Sequence, residues 1–462
     1  MVELRLDQLA EKMQGKILQG APSHTFHKFN IDSRLSEPGE LFFAVVAKRN
    51  GHDFIPLAVK KGARGAVVSQ EIDFPDKSFA LIQVKDTVLA LQELARRVLS
   101  EHRVKVVGIT GSIGKTTTKE FAHHLLSRRF RVLKSRRNFN NYLGLALSLL
   151  KIREDHQVAI LEMATSAPCE IKALTQIAPP DISVITNINP VHLQFFKSLE
   201  NIAQAKKEIL EGTKNGGIAV LNGDDPLVRK IGEDWKGEKI AFGLSSKCDI
   251  QARNIKKIGF EGMLFELRYG EKKDTLHFPF FYKSPLYNLL AALGVAYAFS
   301  LPLEDIVSQI DDLKPFSMRG TLIHLRRNIK LIDDSYNSNP KALEEVLKGL
   351  SSLPSKRRIA VLGDMLELGE KESQFHIQAG KQVVKWGWDI LVTVGSLSQK
   401  MGEGALSSGM RQNRIFSFEN SEEAAEKIEA LLEEGDLVLV KGSRAIKIEK
   451  IVQKLRKKLE ES

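Results

Sequence analysis

The chain has 462 residues, of which 43% are hydrophobic and 27% charged. This composition is typical of an ordinary globular protein rather than a disordered one, and the length predicts about three domains. Its two cysteines, Cys169 and Cys248, are too few for a disulfide framework and favour a reducing compartment. The net charge of +11 is compatible with nucleic acid or with small anionic substrates.

The first region, residues 1–100, is predicted to be a small mixed α/β domain. Its apolar runs, such as "ELFFAVV" and "GAVVS", are short and are separated by Gly, Pro and Asp. The first residues, "MVELRLDQLAEKMQGKIL", alternate charged and apolar side chains, so no signal peptide is predicted there.

The second region, residues 101–315, is predicted to be a parallel sheet with crossover helices, because apolar runs alternate with helical stretches. The clearest strands are "VKVVGIT", "VAILEMA", "ISVITNI" and "GIAVLNG". The first of these runs into "GITGSIGKTTTKE" (108–120), a glycine-rich loop that opens a helix, as a phosphate-binding loop requires.

In that loop, Gly111 and Gly114 allow backbone N–H groups to approach phosphate oxygens at the positive end of a helix. Lys115 is expected against the β- and γ-phosphates of a nucleotide, and Thr116 can offer a hydroxyl to Mg²⁺. The loop departs from the common G-x-x-x-x-G-K-S/T spacing, because Ile109 stands where the first glycine is expected.

Two further side chains are predicted to lie beside the loop, because ligands bind outside the carboxyl ends of strands in open α/β sheets. Glu162 ends "VAILEMA", and His192 follows "ISVITNI". Considered alone, Glu162 would be interpreted more simply as a surface carboxylate and His192 as a loop imidazole. Their shared position at strand ends predicts that they hold a divalent cation.

The densest basic cluster is "SRRFRVLKSRR" (127–137), and a solvated basic face is its simplest interpretation. Neither zinc-finger spacing nor a basic motif interleaved with aromatic residues accompanies it, so nucleic-acid binding would depend on charge alone and is not predicted. The uncharged stretch "SPLYNLLAALGVAYAFSLPL" (284–303) approaches the ~20 residues that span a bilayer. It contains Asn288 and has Pro near both ends, so a buried helix is predicted rather than membrane insertion.

The third region, residues 316–462, is predicted to be a Rossmann-like doubly wound domain. "IKLIDDS", "RRIAVLGDM", "DILVTVG" and "DLVLVKGS" read as strands that alternate with helices such as "PKALEEVLKGL". The terminal "KIEKIVQKLRKKLEES" is predicted to be a docked amphipathic helix. Its apolar face comprises Ile448, Ile451, Val452, Leu455 and Leu459.

The motifs "TGSIGKT", "RNFNNYLG", "LEMA", "NINPVHL" and "AKKEIL" resemble the central domain of the Mur ligases, the ATP-dependent amide-forming enzymes of peptidoglycan synthesis. The short loop form Thr-Gly-x-x-Gly-Lys-Thr/Ser in that family matches this chain. "IDDSYNSNP" (332–340), "AVLGDMLELGE" (360–370), "LVLVKGSR" (437–444), "IDSRLSEPGELFFAV" and "KRNGHDF" are similar to the members that add D-alanyl-D-alanine to UDP-N-acetylmuramoyl-tripeptide.

The resemblance implies an α/β protein of three domains. Residues 1–100 would bind the UDP-sugar, residues 101–315 ATP, and residues 316–462 the incoming dipeptide. The implied reaction proceeds through an acyl phosphate and yields UDP-N-acetylmuramoyl-pentapeptide, ADP and phosphate. The implied cofactors are ATP, two Mg²⁺ ions and CO₂ as a lysine carbamate. We expect a cytoplasmic monomer that binds neither nucleic acid nor a membrane.

The resemblance also implies the residues of the active site. The catalytic set is Lys115, Glu162, His192 and Lys206, and the metal ligands are Thr116, Glu162, His192 and Lys206. The nucleotide-binding positions are Thr110, Gly111, Ser112, Ile113, Gly114, Lys115, Thr116, Thr117, Asn288, Arg319 and Asp334. Lys206 matches the lysine that the family converts to a carbamate, which requires a neutral amine although its reference pKa is near 10.4.

For the other substrates, the resemblance places Ser33, Arg34, Arg49 and His52 at the UDP-sugar, Tyr336, Asn337 and Asn339 at the dipeptide, and Ser166 as a further substrate contact. Ser284 stands where the family has a histidine before the adenine-binding helix.

Three alternatives stay open from the sequence. A related ligase could add an amino acid to a shorter muramyl peptide or to folate, although "DDSYNSNP" and "GDMLELG" argue against it. A basic P-loop ATPase acting on nucleic acid is disfavoured by the loop spacing. An inactive ligase-like scaffold is disfavoured because all four catalytic positions retain their residues.

Overall fold

The computed structural model describes residues 3–136, 139–191 and 193–459. In the N-terminal region, short 3-10 turns cover Ser33–Leu35 and Gly51–Phe54. The strands and helices are β1 (Leu4–Arg5), β2 (Lys16–Gln19), β3 (Thr25–Phe26), β4 (Phe29–Asn30), β5 (Leu41–Phe43), β6 (Gly65–Val68), β7 (Ala80–Gln83), α1 (Leu6–Lys12), α2 (Ile55–Lys60) and α3 (Thr87–Glu101). Over these described residues, the strands form a sheet in the order β2-β7-β6-β5-β4 and a separate β1-β3 pair.

The central region is organised around one long sheet. Its strands are β8 (Lys105–Thr110), β9 (Val132–Lys134), β10 (Val158–Glu162), β11 (Ile182–Ile185), β12 (Ile218–Asn222), β13 (Glu238–Gly243), β14 (Ile250–Lys257), β15 (Met263–Tyr269) and β16 (Lys272–Phe278). Its helices are α4 (Lys115–Leu126), α5 (Tyr142–Leu149), α6 (Glu170–Ile177), α7 (Leu193–Phe196), α8 (Leu199–Glu211), α9 (Pro226–Gly232), α10 (Lys283–Ala298) and α11 (Leu303–Ile310).

The order of the central strands is β16-β15-β14-β13-β12-β11-β8-β10-β9. The strands from β9 to β14 pair in parallel, whereas β14, β15 and β16 form an antiparallel extension. In this order β8 has β11 on one side and β10 on the other, so the chain leaves β8 at a point where the strand order reverses. Such a reversal opens a crevice at the carboxyl end of the sheet, where ligands bind.

The C-terminal region forms a second doubly wound sheet. Its elements are β17 (Thr321–Leu325), β18 (Ile329–Asp333), β19 (Arg358–Gly363), β20 (Ile390–Val394), β21 (Ile415–Phe418), β22 (Leu437–Lys441), α12 (Pro340–Leu350), α13 (Glu372–Lys385), α14 (Gln399–Ser407), α15 (Ser421–Lys427) and α16 (Glu449–Leu459). The strand order is β17-β18-β22-β19-β20-β21, and only the β17–β18 pair is antiparallel within the part of the chain that the structure describes.

Apolar strands form these sheets because both faces are covered. In β8, Val106 and Val107 point to opposite faces and are both fully buried. One face of the central sheet packs into a core that continues into the N-terminal region through α3, where Leu91 and Leu94 are fully buried. The other face packs on α4 and α10. The N-terminal region is therefore joined to the central sheet by shared apolar packing.

Every strand quoted from the sequence is present, and so is the helix predicted at "PKALEEVLKGL". Most of the uncharged stretch 284–303 lies in α10, which is buried against α4 and β13. No helix among the described residues has both the length and the apolar character that crossing a membrane requires. The terminal helix is also confirmed, since Ile451, Val452 and Leu455 are buried. The antiparallel strands β14–β16 were not predicted.

Candidate active site

The carboxyl ends of two sheets face a common cavity of about 810 Å³. From the central sheet, the loops after β8 and β10 line it. From the C-terminal sheet, the loops after β18, β19 and β22 line it. The sequence-predicted residues that line it are Ser112, Ile113, Gly114, Lys115, Thr116, Thr117, Glu162, Ser166, Asn288, Arg319, Asp334, Tyr336, Asn337 and Asn339. Residues far apart in sequence therefore converge on one site.

The two glycines of the phosphate loop are required by their surroundings. Gly111 has φ of +142° and Gly114 has φ of +88°, conformations that residues with a side chain rarely adopt. A Cβ atom on Gly111 would overlap the hydroxyl of Thr186, and one on Gly114 would overlap the side-chain amide of Asn288. The loop thus packs closely on the end of β11 and on α10.

Polar side chains after β11 fix the loop. Asn187 Oδ1 accepts from the Ile113 N–H (3.0 Å), and the Thr186 hydroxyl donates to the Ile113 carbonyl (2.6 Å). The Ser112 hydroxyl donates to the Asn189 carbonyl (3.0 Å). These contacts hold the loop in one conformation before any ligand arrives, which lowers the ordering cost of binding.

Lys115 is the first residue of α4, and its Nζ donates to the Gly111 carbonyl at 2.7 Å. The ammonium therefore lies over the loop, where phosphate oxygens would be recognised. Burial lowers the pKa of Lys115, the nearby carboxylate of Glu162 raises it, and the guanidinium of Arg319 lowers it further. A bound phosphate would restore the stability of the charged form.

Glu162 is held from several sides at the end of β10. Its Oε2 accepts from the Thr116 hydroxyl (2.9 Å), and its Oε1 accepts from Asn140 Nδ2 (3.2 Å). The fully buried Lys119 lies 4.0 Å from Oε2 and donates to the Ser135 carbonyl (2.8 Å). Glu162 is only 3% exposed, so the Lys119 ammonium offsets its buried negative charge.

Thr116 and Glu162 present a hydroxyl and a carboxylate, the hard oxygen donors that Mg²⁺ prefers. Magnesium sites often use one or two protein carboxylates together with substrate phosphates, so this pair beside a phosphate loop fits such an ion. His192 lies outside the described residues. Among those that are described, no three His, Cys, Asp or Glu side chains form a metal-binding group.

Lys206 lies on α8 and is 2% exposed. None of the described residues forms a hydrogen bond or ion pair with its ammonium. Burial, and then the charge of Lys115, lower the pKa of Lys206 well below its ordinary value, while Glu208 and Glu170 act in the opposite direction. The position therefore favours a neutral amine. Lys206 does not line the cavity itself.

Arg319 connects the nucleotide side of the cavity to the C-terminal region, and Asp334 and Lys441 join two strand ends of the C-terminal sheet. Arg319 donates from Nη2 to the Thr116 hydroxyl (3.2 Å), and its guanidinium stacks 4.0 Å from the centre of the Tyr336 ring. Asp334, after β18, accepts from Lys441 Nζ at 2.6 Å. Lys441 ends β22 and also donates to the Asn337 carbonyl (2.9 Å). The ion pair therefore ties two neighbouring strand ends together.

Two predicted positions are occupied by local hydrogen bonds. Asn339 caps α12 by accepting from the Ala342 N–H at 2.9 Å. The backbone N–H of Ser166 donates to Glu170 at 2.6 Å, at the start of α6. Ser284, which replaces the histidine of the family, hydrogen-bonds to Glu345 of α12. Each of these contacts shapes a wall of the cavity.

The four residues predicted at the UDP-sugar do not line this cavity. Arg34 is 79% exposed and pairs with Asp32, Arg49 is exposed, and Ser33 is buried. His52 Nε2 accepts from the Ser69 N–H (2.9 Å), which leaves the proton on Nδ1 to bond Asn50 (2.6 Å). Burial lowers the pKa of His52. Both ring nitrogens are thus used inside the N-terminal region.

Several lining or supporting residues were not predicted from the sequence: Lys119, Asn140, Lys441 and Arg444. Lys441 and Arg444 belong to "LVLVKGSR", and the rule that ligands gather at strand ends could have singled them out. Asn140 lies in "RNFNNYLG". Lys119 gave no signal, because an isolated lysine on a helix is ordinarily solvated.

The basic cluster at 127–136 is largely paired with acids. Arg128 lies 3.9 Å from Asp312, Arg129 lies 3.7 Å from Asp305, Arg131 lies 3.6 Å from Asp155, and Lys134 pairs with Glu120. Arg137 lies outside the described residues. These pairs support the interpretation of the cluster as a solvated surface.

Comparison with known proteins gives matches along the whole chain. The family model for the Mur ligase middle domain matches residues 109–296, and the model described as the glutamate ligase domain of Mur ligases matches residues 318–444. The UDP-N-acetylmuramoyl-tripeptide–D-alanyl-D-alanine ligase of Bacillus subtilis (strain 168) is 33% identical over 98% of this chain and 99% of its own length.

Solved structures agree in fold. MurF from Acinetobacter baumannii matches with a TM-score of 0.89 at 29% identity, over 99% of this chain and all of that one. MurF ligase from Thermotoga maritima, solved in complex with ADP, matches with a TM-score of 0.81 at 30% identity, over 93% of this chain and 97% of that one. The same three-region arrangement is therefore shared along the full length.

Proposed function

The chain belongs to the Mur ligase family, and on that premise we propose that it joins D-alanyl-D-alanine to UDP-N-acetylmuramoyl-tripeptide with the consumption of ATP. The products are UDP-N-acetylmuramoyl-pentapeptide, ADP and phosphate, and the reaction belongs to the synthesis of the peptidoglycan precursor. The Bacillus subtilis relative, which aligns over 98% of this chain, is named for this activity.

One observation carries the proposal: the phosphate loop and the strand ends of the C-terminal sheet border a single cavity. A ligase must bring an activated carboxyl group and an amine together in one place. The phosphate loop would bind ATP, and the Thr116–Glu162 pair would bind its metal ion. The loops after β18, β19 and β22 line the side of the cavity where the amine substrate would bind. Holding reactants in this way recovers about 7–11 kcal/mol of barrier in well-aligned cases.

In the first step, the terminal carboxylate of the tripeptide attacks the γ-phosphorus of ATP. A carboxyl O–P bond forms, the bond to the β-phosphate oxygen breaks, and ADP leaves. Two anions meet here, so cations must offset their repulsion. Lys115 lies over the phosphate loop, Arg319 bonds Thr116 beside it, and a Mg²⁺ ion held by Thr116, Glu162 and His192 would neutralise charge on the phosphates.

In the second step, the amine of the dipeptide attacks the carbonyl carbon of the acyl phosphate. The tetrahedral intermediate collapses, the C–O bond to phosphate breaks, and the amine loses a proton. Tyr336 and Asn337, at the carboxyl end of β18, line the cavity on the side from which the dipeptide would enter. The UDP-sugar end would extend toward Ser33, Arg34 and Arg49. His52 links Asn50, the neighbour of Arg49 in sequence, to the Ser69 N–H.

Lys206 is proposed to act as a carbamate. Its neutral amine attacks the carbon of CO₂, the electron pair of one C=O bond moves to that oxygen, and a proton leaves the nitrogen to solvent. A neutral side chain thereby becomes an anion that can support the metal site. A buried lysine without a partner among the described residues fits this role, because burial disfavours the ammonium form. Two Mg²⁺ ions, a monomeric state and a cytoplasmic location complete the proposal.

A phosphate-release assay with a panel of acceptors tests the assignment. Purified protein receives ATP, Mg²⁺ and one muramyl acceptor, together with either D-alanyl-D-alanine or a single amino acid. The proposal predicts phosphate release with the tripeptide acceptor and the dipeptide. Release only with a single amino acid, or only with a shorter acceptor, would assign the chain to another branch of the family.

A further inference from the structure

The incoming dipeptide has two ends with different chemistry, and the proposed reaction uses only one of them. The amine reacts, whereas the far end carries a carboxylate. A carboxylate inside a cavity needs a cation or several N–H donors, since burying an unpaired charge is costly. Within the described residues, four cationic side chains line the cavity, and they are Lys115, Arg319, Lys441 and Arg444.

Three of these four cations, unlike Arg444, are not exposed, and each bonds a group at the phosphate loop or at a strand end. Lys115 lies on the phosphate loop, 2.7 Å from the Gly111 carbonyl. Arg319 donates to the Thr116 hydroxyl and stacks on Tyr336, so its guanidinium is held on the nucleotide side of the cavity. The Lys441 side chain is 4% exposed and is fixed by Asp334, as described above. Binding a further anion at Lys441 would require breaking a buried ion pair.

Arg444 differs from the other three in position and exposure. It lies in the loop after β22, the strand between β18 and β19, and its side chain is 56% exposed. Nη1 donates to Glu449 Oε1 at 2.9 Å, which orients the guanidinium. Among the described residues no hydrogen bond reaches Nε or Nη2. The unused N–H donors on Nε and Nη2 match the geometry in which a guanidinium binds the two oxygens of a carboxylate.

The surroundings of Arg444 suit a short peptide with methyl side chains. The Tyr336 ring centre lies 5.9 Å from its guanidinium carbon, and the lining of the same cavity includes Leu366, Leu368 and Ala445. A carboxylate held at Arg444 would lie at the loop after β22 of the C-terminal sheet, whereas the phosphate loop belongs to the central sheet. The amine end would then be free to extend toward that loop.

We propose that Arg444 binds the carboxylate of the incoming dipeptide and so selects an amine substrate with a free C-terminal carboxyl group. This inference rests on the proposed function, because it assigns one end of the proposed amine substrate. It makes Arg444 a specificity-determining residue, and it predicts that an amide at that end of the dipeptide is a poor substrate.

The test compares D-alanyl-D-alanine with its C-terminal amide in phosphate-release assays of the full chain at saturating ATP and UDP-N-acetylmuramoyl-tripeptide. The unsubstituted enzyme should prefer the acid. Arg444→Met should lower kcat/KM for the acid by about 10- to 100-fold, mainly through KM, because a charge-assisted hydrogen bond is lost. With the amide, Arg444→Met and the unsubstituted enzyme should have the same rate. With the acid, kcat/KM of Arg444→Lys should lie between the values of the unsubstituted enzyme and Arg444→Met.

Arg253→Met is the matched control, since Arg253 also pairs with a glutamate, Glu266, at 2.9 Å, but lies outside the cavity. It should keep the preference for the acid. An unchanged preference in Arg444→Met, or an equal loss with both dipeptides, would overturn the inference while leaving the proposed function in place. No phosphate release by the unsubstituted enzyme with either dipeptide would reject the proposed function, and this inference with it.

Discussion

The phosphate loop depends on a glycine at position 114 for two separate reasons, conformation and space. Its φ is +88°, and an added Cβ would overlap the amide of Asn288 on α10. We expect Gly114→Ala to push the loop away from α10 and to displace Lys115. Turnover should fall by about 100-fold, the size of effect that small misplacements of reacting groups produce. Calorimetric titration with ADP should show a matching loss of affinity.

A substitution at Gly216 is the control that distinguishes backbone strain from the steric clash with Asn288. It also has positive φ, +76°, but nothing lies within 4 Å of its added Cβ. Gly216→Ala should therefore cost only about 1–2 kcal/mol of stability, the strain of a left-handed residue, and should leave ADP affinity unchanged. Equal effects of the two substitutions on ADP binding would show that the Asn288 contact does not control the loop.

Lys206 and its neighbour Lys207 lie on the same helix in opposite environments. Lys206 is buried, whereas Lys207 pairs with Asp234 at 2.7 Å on the surface. We expect Lys206→Ala to abolish most turnover, with partial rescue by small carboxylic acids that replace the carbamate. Mass spectrometry of the unsubstituted protein in bicarbonate should detect CO₂ on Lys206. Full activity of Lys206→Ala without an added acid would remove the carbamate from the mechanism, and Lys207→Ala should behave like the unsubstituted protein.

At the scale of elements, the terminal helix α16 is held by two kinds of contact. Ile451, Val452 and Leu455 are buried, while three lysines pair with glutamates: Lys450 with Glu422, Lys454 with Glu426 and Lys458 with Glu429. Exposed pairs of this kind contribute little, because they are screened and cost side-chain entropy. The apolar face should therefore account for the docking.

Leu455→Ala should lower the free energy of unfolding by about 2–5 kcal/mol, since Leu455 is fully buried. Lys454→Met should produce no measurable change, because its pair with Glu426 lies at the surface. Urea denaturation of both variants measures the difference. A large loss for Lys454→Met that disappears in high salt would assign the docking of α16 to the ion pairs instead.

The elements that the sequence predicted well are the buried parallel strands. Runs such as residues 158–161 are apolar throughout because helices cover both faces of the sheet, so they are easily identified in the sequence. The antiparallel extension was missed because β15 buries only alternate residues: Met263, Phe265, Leu267 and Tyr269 are buried, with half-exposed side chains between them. That alternation, followed by Gly270 in a turn, was a usable hairpin signal.

The residues of the candidate site that were not predicted from the sequence were missed for a similar reason. Loop residues and strand-end acids such as Glu162 can be predicted from the sequence. Ligands bind at the carboxyl ends of strands, and the end of a single strand can be recognised without knowing its neighbours. The same strand-end rule could have singled out Arg444, but its position beside the loops after β18 and β19 depends on β22 lying between those two strands. Strand order is a property of the folded sheet. The role of Lys119 beside Glu162 likewise appears only once α4 and β10 are packed together.

At the scale of the whole molecule, α4 also carries a group that couples stability to pH. Burial, and then the charge of Lys134, lower the pKa of His123 from 6.5 to about 4. The charges of His124 and Lys119 lower it too, whereas Glu120 raises it. Between pH 6.5 and about 4 the unfolded chain binds a proton that the folded chain refuses, so stability falls as the pH drops.

We therefore expect the free energy of unfolding to decrease from pH 6.5 toward pH 4 by less in His123→Gln than in the unsubstituted protein. Above pH 6.5 both should be independent of this group. Urea denaturation across that pH range provides the measurement. Parallel pH dependences for the two proteins would show that His123 is not buried as neutral imidazole.

The central and C-terminal regions meet in the described structure through contacts such as Arg319 with Thr116 and Lys257 with Ser352 (2.9 Å). Chemistry started at the phosphate loop would accordingly be completed by an amine bound on the other sheet. Neither region alone has both halves of the cavity lining. A reaction that needs both substrates at once is the expected behaviour of the whole molecule.

The most direct test is chromatographic detection of UDP-N-acetylmuramoyl-pentapeptide after incubation with ATP, Mg²⁺, UDP-N-acetylmuramoyl-tripeptide and D-alanyl-D-alanine, alongside the Lys115→Ala variant. We expect pentapeptide and one phosphate per molecule of product from the unsubstituted protein, and almost none from Lys115→Ala. Absence of pentapeptide from both proteins, or equal amounts from both, would contradict the account.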